Sequence, residues 1–181
     1  MKLVLIDRDG VINEELPHYV KTPDELVIPE PALKGLALLR QHGFACVIVT
    51  NQSCVGRGII TADTLDRIHD RLRETVADQG GAIIDIFACT DHPKAATHRR
   101  KPAPGMLLEA MEKYRALPAS TPFIGDAPTD MEAAHAAGCP RYLVMTGKGR
   151  DTARALPEKL QPVTLCDDLL SAARKIVETY G

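Results

Sequence analysis

The amino-acid sequence predicts an α/β fold, a parallel sheet with helices on both faces. Three observations carry this expectation. Short apolar runs alternate with longer segments of helical spacing about six times along the chain. Those runs are apolar on successive residues, the pattern of strands covered on both faces. Acidic or hydroxyl residues stand directly after several of the runs, and in an open parallel sheet the carboxyl ends of the strands share the edge where ligands bind.

Lys2-Leu3-Val4-Leu5-Ile6 reads as a buried strand that breaks at Asp7-Arg8-Asp9-Gly10. Residues 31–42 place Leu33, Leu36, Ala37 and Leu39 at helical spacing and stop at Gly43. Ala45 to Val49 is a second strand, broken at Thr50-Asn51-Gln52. Thr61 is a helix N-cap, with Leu65, Ile68 and Leu72 on one face and Gly80-Gly81 at the end. Ile83 to Cys89 is a third strand, followed by an irregular loop from Thr90 to Pro104 and a helix to about Arg115. Phe123-Ile124 is a short strand ended by Gly125-Asp126. A helix from about Thr129 to Ala137 follows, with Gly138 as its C-cap. Arg141–Met145 and Val163–Leu165 read as strands, and residues 167–179 as the last helix.

The 181 residues form one expected domain spanning 1–181. A net charge of −2, 4% aromatic residues and no Trp argue against nucleic acid as a partner. No apolar run has the length of a membrane span, and the residues after Met1 do not form a signal peptide. Five cysteines without a C-x-x-C pair point to a reducing, cytoplasmic setting, and a monomer is expected. His42 and His69 read as solvated helix residues and His135 as structural. Cys46, Cys139 and Cys166 read as small core residues, and Gly147-Lys148-Gly149-Arg150 as a helix-start turn.

Asp7, Asp9, Thr50 and Asp126 all fall at strand ends. Carboxylates gathered at one edge repel each other unless a hard cation neutralises them, and oxygen ligands suit Mg²⁺. A D-x-D-G by itself is equally well a turn. An ionised Asp is a ready nucleophile that forms aspartyl-phosphates. A second acid two residues on, Asp9, can protonate the leaving oxygen and then activate water. Thr50, Asn51 and Gln52 supply donors for phosphoryl oxygens, and Arg100-Lys101 supplies two cations.

D-R-D-G-V-I-N at 7–13, T-N-Q-S at 50–53, R-K-P-x-P-G-M at 100–106 and G-D-x-x-x-D at 125–130 resemble the four ordered motifs of the haloacid dehalogenase superfamily phosphatases. The wider string is similar to that of its sugar-phosphate branch, the D-glycero-D-manno-heptose 1,7-bisphosphate 7-phosphatases. Histidinol-phosphate phosphatases carry nearly the same string. The resemblance implies a Rossmann-like sheet and a Mg²⁺-dependent phosphatase acting on a small phosphorylated sugar. It implies Asp7 as nucleophile and Asp9 as general acid and base. Mg²⁺ would be held by Asp7, the Asp9 carbonyl and Asp126, with Asp130 behind them. Thr50 and Lys101 would hold the phosphoryl group. Asn51, Gln52, Ser53 and Arg100 would contact substrate, Glu15, His18 and Tyr19 would line the entrance, and Arg57 would reach the distal phosphate. Residues 8–29 and 51–100 leave no room for the cap domain that many members carry.

Two departures stand out against that family. Its zinc loop has the form C-x-H followed by C-x-C directly before R-K. Here Cys89 is followed at +2 by Asp91, with His92 beside it, and Thr97 and Arg99 occupy the later cysteine positions. The remaining candidates, Cys89, Asp91, His92 and His98, lack the closing pair, so no structural Zn²⁺ is expected. The position after the metal-binding Asp, often Lys in the family, is Ala127. A signalling receiver domain, a phospho-acceptor on a similar sheet, is disfavoured because its acceptor Asp ends the third strand, where this chain has Cys89-Thr90.

Overall fold

A computed structural model describes residues 1–181. Six strands form one parallel sheet, β1 (Lys2–Ile6), β2 (Phe44–Asn51), β3 (Ile83–Cys89), β4 (Phe123–Gly125), β5 (Arg141–Val144) and β6 (Thr164–Cys166). Their spatial order is β3-β2-β1-β4-β5-β6. The order reverses between β1 and β4, and at such a switch point the loops leaving the strands part and open a crevice.

Seven helices connect and cover the strands, α1 (Glu30–Gln41), α2 (Ser53–Gly56), α3 (Ala62–Asp78), α4 (Gly105–Tyr114), α5 (Pro128–Ala137), α6 (Gly149–Arg154) and α7 (Leu169–Tyr180). Side chains of β1 alternate between two cores. Val4 and Ile6 pack with Leu36 and Leu39 of α1, Leu72 and Val76 of α3, and Ala173 and Ile176 of α7. Leu3 and Leu5 pack on the other face with Met106, Leu107, Ala133 and Ala137 of α4 and α5. Burial on both faces is what the continuous apolar runs encode. The connection from β1 to α1 carries only a single short 3₁₀ turn at Pro23–Glu25, and that from β2 to β3 only α2 and α3. No inserted cap covers the sheet edge.

Several local signals operate as expected. The Thr61 hydroxyl accepts the Thr64 amide at 3.1 Å, and Gly138 closes α5 in the left-handed conformation at φ 76°. The strand β2 runs two residues further than the apolar pattern, because Thr50 and Asn51 continue to pair with Ala88 and Cys89 of β3. Thr50 is therefore the penultimate residue of the strand and not the break that follows it. The helices α2 and α6 are too short to leave a periodic signal in the sequence.

His69 departs from its reading as a solvated residue. It is only 5% exposed and lies on the buried stripe of α3 with Leu65, Ile68, Leu72 and Val76. His135 is exposed in the last turn of α5 and fills no core position. All five cysteines are buried and unpaired. No helix is long and apolar enough to cross a membrane.

Candidate active site

The register of the central strands assembles the site. Ile6 of β1 lies opposite Ile48 of β2 and Ile124 of β4, and the Asp7 amide donates to the Ile124 carbonyl at 2.9 Å. Asp7, Thr50 and Asp126 thus leave neighbouring strands at one edge, despite their separation in sequence. They line a cleft of about 420 Å³ together with Asp9, Glu15, Tyr19, Asn51, Ser53, Arg100, Lys101 and Asp130. That volume suits a small polar molecule.

Asp7, Asp126 and Asp130 bring carboxylate oxygens within 4.8 Å of one another. Lys101, 2% exposed, lies between two of them, with Nζ 2.8 Å from Asp7 Oδ1 and 2.7 Å from Asp130 Oδ1. It also donates to the Val49 carbonyl at 2.9 Å. Burial disfavours the ammonium, but the charges of Asp130 and Asp7 outweigh it and hold the Lys101 pKa above its ordinary value. Burial pushes the Asp7 carboxyl up to about 7, with the Asp130 charge adding to it and Lys101 opposing. Burial, then Asp7 and Asp130, push Asp126 up to about 8. Three acids facing a single lysine leave a negative excess that a divalent cation relieves.

The surroundings fit such an ion. A methyl group at Gly10, where φ is +81°, would stand 2.2 Å from Asp126 Oδ2, and one at Gly147, where φ is +52°, 2.1 Å from it. Both glycines let the backbone close around that carboxylate. The Asp126 side chain accepts the Lys148 amide at 2.8 Å. Asp130 is already used, because its Oδ2 accepts the amides of Asp126 at 3.1 Å and Ala127 at 3.0 Å while Oδ1 meets Lys101.

Asp9 differs from its neighbours. Its burial favours the neutral acid, but the Arg8 charge and hydrogen bonds from Asn13, Arg8 and Gln52 outweigh that and hold its pKa below the usual value. The general-acid role, by contrast, calls for a raised pKa. Gln52 and Arg57 also depart from their expected places. Gln52 is buried and faces no cleft. It donates from Nε2 to Asp9 Oδ2 at 2.7 Å and to Thr50 Oγ1 at 2.8 Å. Arg57 is exposed and outside the cleft, as is His18. Asn51 lines the cleft, yet its amide group is taken up by Lys101. Nδ2 donates to the Lys101 carbonyl at 2.9 Å, and Oδ1 accepts the Lys101 amide at 3.1 Å. Ser53 approaches the Tyr19 hydroxyl at 3.4 Å. The Arg100 Nη1 is buried without a partner.

The loop before Arg100 is stitched by its own side chains. Asp91 Oδ2 accepts both the amide and the hydroxyl of Thr97 at 2.7 Å. Arg99 Nε donates to both oxygens of Glu109 at 3.0 Å. Cys89 is buried, His92 Nδ1 accepts the Lys94 amide at 3.1 Å, and His98 is largely exposed beside Glu109. These three residues are not gathered into one ligand set. Lys148, read from sequence as part of a helix-start turn, is indeed the N-cap of α6. It also lines the cleft and pairs with Glu15 across the mouth. Arg8 and Asn13 complete the surroundings of Asp9. Both stood inside a quoted motif, but nothing in the sequence marked them as partners of that acid.

Comparison with known proteins decides the family. A D-glycero-beta-D-manno-heptose-1,7-bisphosphate 7-phosphatase of Bordetella bronchiseptica is 38% identical over 180 residues, covering 98% of this chain and 99% of the relative. The chain belongs to that family. A Pseudomonas putida protein of the same name is 40% identical, over 98% of this chain and all of its own. A family model described as "HAD-hyrolase-like" matches residues 98–172. The crystal structure of the Bordetella bronchiseptica D,D-heptose 1,7-bisphosphate phosphatase, complexed with magnesium and phosphate, superposes with a TM-score of 0.93 at 38% identity, covering 99% of each chain. That of the Burkholderia thailandensis enzyme gives 0.76 at 35% identity, covering 98% of this chain and 99% of the other. The haloacid dehalogenase-like fold and the phosphomonoesterase class expected from the four motifs are those of this family.

Proposed function

We propose that this chain is a Mg²⁺-dependent phosphatase that removes the 7-phosphate of D-glycero-β-D-manno-heptose 1,7-bisphosphate through an aspartyl-phosphate on Asp7. The observation that carries the reading is the buried Asp7–Lys101–Asp130 ion triad beside Asp126 at the switch point of the sheet. Five relatives, 35 to 40% identical, are named for the β anomer. One at 33% identity over 81% of this chain is named for the α anomer. The reading includes a monomer working in a reducing cytoplasm.

Asp7, Asp126 and the Asp9 carbonyl would hold the Mg²⁺, and the ion would supply neutralisation of the phosphate oxygens and of the acid cluster. The Asp7 carboxylate attacks phosphorus while Lys101 holds its Oδ1 and stabilises the negative charge of the transferring group. The bond from phosphorus to the sugar oxygen breaks, and the leaving oxygen takes a proton from Asp9. Asp9 then takes a proton from water as that water attacks the acyl-phosphate, and Asp7 and inorganic phosphate are freed. The lowered pKa of Asp9 suits the second half of this cycle. For the first, a phosphate dianion placed beside the carboxyl favours its protonation by like-charge repulsion. Thr50 Oγ1 accepts from Gln52, which leaves the hydroxyl proton free for a phosphoryl oxygen. The unpartnered Nη1 of Arg100 is a further donor for an anion.

A panel of phosphate esters tests the substrate. The β-anomer bisphosphate is expected to be turned over with a kcat/KM about tenfold or more above that of the α anomer and of histidinol phosphate, about 1.4 kcal/mol of discrimination. Rapid turnover of histidinol phosphate with none of the heptose would move the assignment to that branch. A lasting phospho-Asp without turnover would make the chain a phospho-acceptor.

A further inference from the structure

Arg8, between the two acids of the first motif, is 1% exposed. A buried guanidinium must place its five N–H groups on acceptors. One edge grips Asp9, with Nη2 at 2.9 Å from Oδ1 and 3.0 Å from Oδ2, and Nε at 3.3 Å from Oδ1. Nη2 also reaches Gln52 Oε1 at 3.1 Å. The far edge meets a residue 61 positions away, with Nη1 at 3.3 Å from His69 Nε2. An arginine has only donors, so the His69 nitrogen is the acceptor and the ring carries its proton on Nδ1. Burial, and then the Arg8 and Arg73 charges, push the His69 pKa down to about 3, which keeps the ring neutral.

We propose that His69 is a positioning residue for Asp9, fixing through Arg8 the carboxyl that exchanges protons with the leaving oxygen and with water. The inference rests on the reading of Asp9 as acid and base, and extends it to a helix with no residue in the cleft. Gln52 and Asn13 hold the carboxyl from other sides. Neither of them reaches Nη1, so His69 alone completes the far edge of the guanidinium among the side chains contacting it. Without that acceptor the buried edge is left unpaired, and the fork is free to turn and carry the Asp9 carboxyl with it. A displacement of about 1 Å from productive geometry costs on the order of 10²-fold in rate.

The test compares His69→Leu with His69→Gln, whose side-chain oxygen restores an acceptor. It reads kcat/KM, which covers steps up to departure of the leaving group, on heptose bisphosphate, phenyl phosphate and p-nitrophenyl phosphate. The last needs little protonation of its leaving group. His69→Leu is expected to lose about 10- to 100-fold on the sugar ester and less than about threefold on p-nitrophenyl phosphate, with phenyl phosphate between. His69→Gln is expected to recover most of that loss. Equal losses on all three esters, or no recovery in the Gln variant, would overturn the proposal and leave His69 a packing residue. Asp9→Asn is measured beside them. If it too shows no dependence on the leaving group, the acid assignment itself fails; if it shows the dependence and His69→Leu does not, only the role of His69 fails. Nitrogen NMR of the unaltered protein gives a second readout that does not depend on folding of a variant. A neutral ring protonated on Nδ1 is expected, and a ring protonated on Nε2 contradicts the proposal.

Discussion

Asp7→Asn is expected to lower turnover by about 10⁴-fold or more while leaving the fold intact. The replacement keeps the shape of the side chain and an oxygen for Lys101, which now sits 2.8 Å from Oδ1. It removes the proposed nucleophile, because an amide oxygen does not form the acyl-phosphate. It also removes one of three mutually repelling acids, so packing around the site loses little. Circular dichroism and thermal unfolding check the fold, initial rates check the loss, and mass spectrometry excludes deamidation back to Asp. Retention of more than a trace of turnover in a verified Asn protein would sink the nucleophile assignment.

Lys101→Met is expected to damage both rate and stability. The substitution keeps much of the aliphatic volume beside Phe123, whose ring centre lies 5.4 Å from Nζ. It leaves Asp7 and Asp130 buried without their shared cation. Breaking a buried ion pair by removing one partner costs about 3–5 kcal/mol, a large part of the stability of an ordinary domain. Asp7, already pushed up by burial and no longer opposed by Lys101, then favours its protonated form, in which it is a poorer nucleophile. Loss of a preorganised donor to the transferring group adds about 10²–10³ in kcat. Thermal unfolding and steady-state kinetics separate the two effects. A variant with a raised KM and an unchanged kcat would show that Lys101 serves binding alone.

The fold was legible because a doubly covered parallel sheet leaves continuous apolar runs, and because the residues that interrupt them mark strand ends. Asp7, Thr50 and Asp126 were legible on the same ground, as chemistry-bearing residues at one sheet edge, and Lys101 as a cation of the R-K-P motif on the loop before α4. Gln52 was not, because its polarity suggested substrate while its actual partners, Asp9, Thr50 and Arg8, come from two strand ends. His69 was misplaced by its polarity, although its spacing from Leu65 and Leu72 puts it on the buried stripe of α3. The reason a histidine is tolerated there is Arg8, whose position no local pattern reveals. The Asp91–Thr97 closure of the loop before Arg100 was likewise invisible, since a turn made by two side chains six residues apart leaves no periodic mark. The lowered pKa of Asp9 emerged only from the full set of its neighbours.

The central claim is that phosphate leaves the substrate by way of the Asp7 carboxylate. The stereochemical course at phosphorus tests it most directly, using a heptose 7-phosphorothioate made chiral with two oxygen isotopes and hydrolysed in water of the third, so that the thiophosphate released is itself chiral. Two successive in-line displacements, first by Asp7 and then by water, give net retention of configuration, and retention is the result this account requires. Net inversion would mean that water attacks the substrate phosphorus directly, and it would contradict an aspartyl-phosphate intermediate.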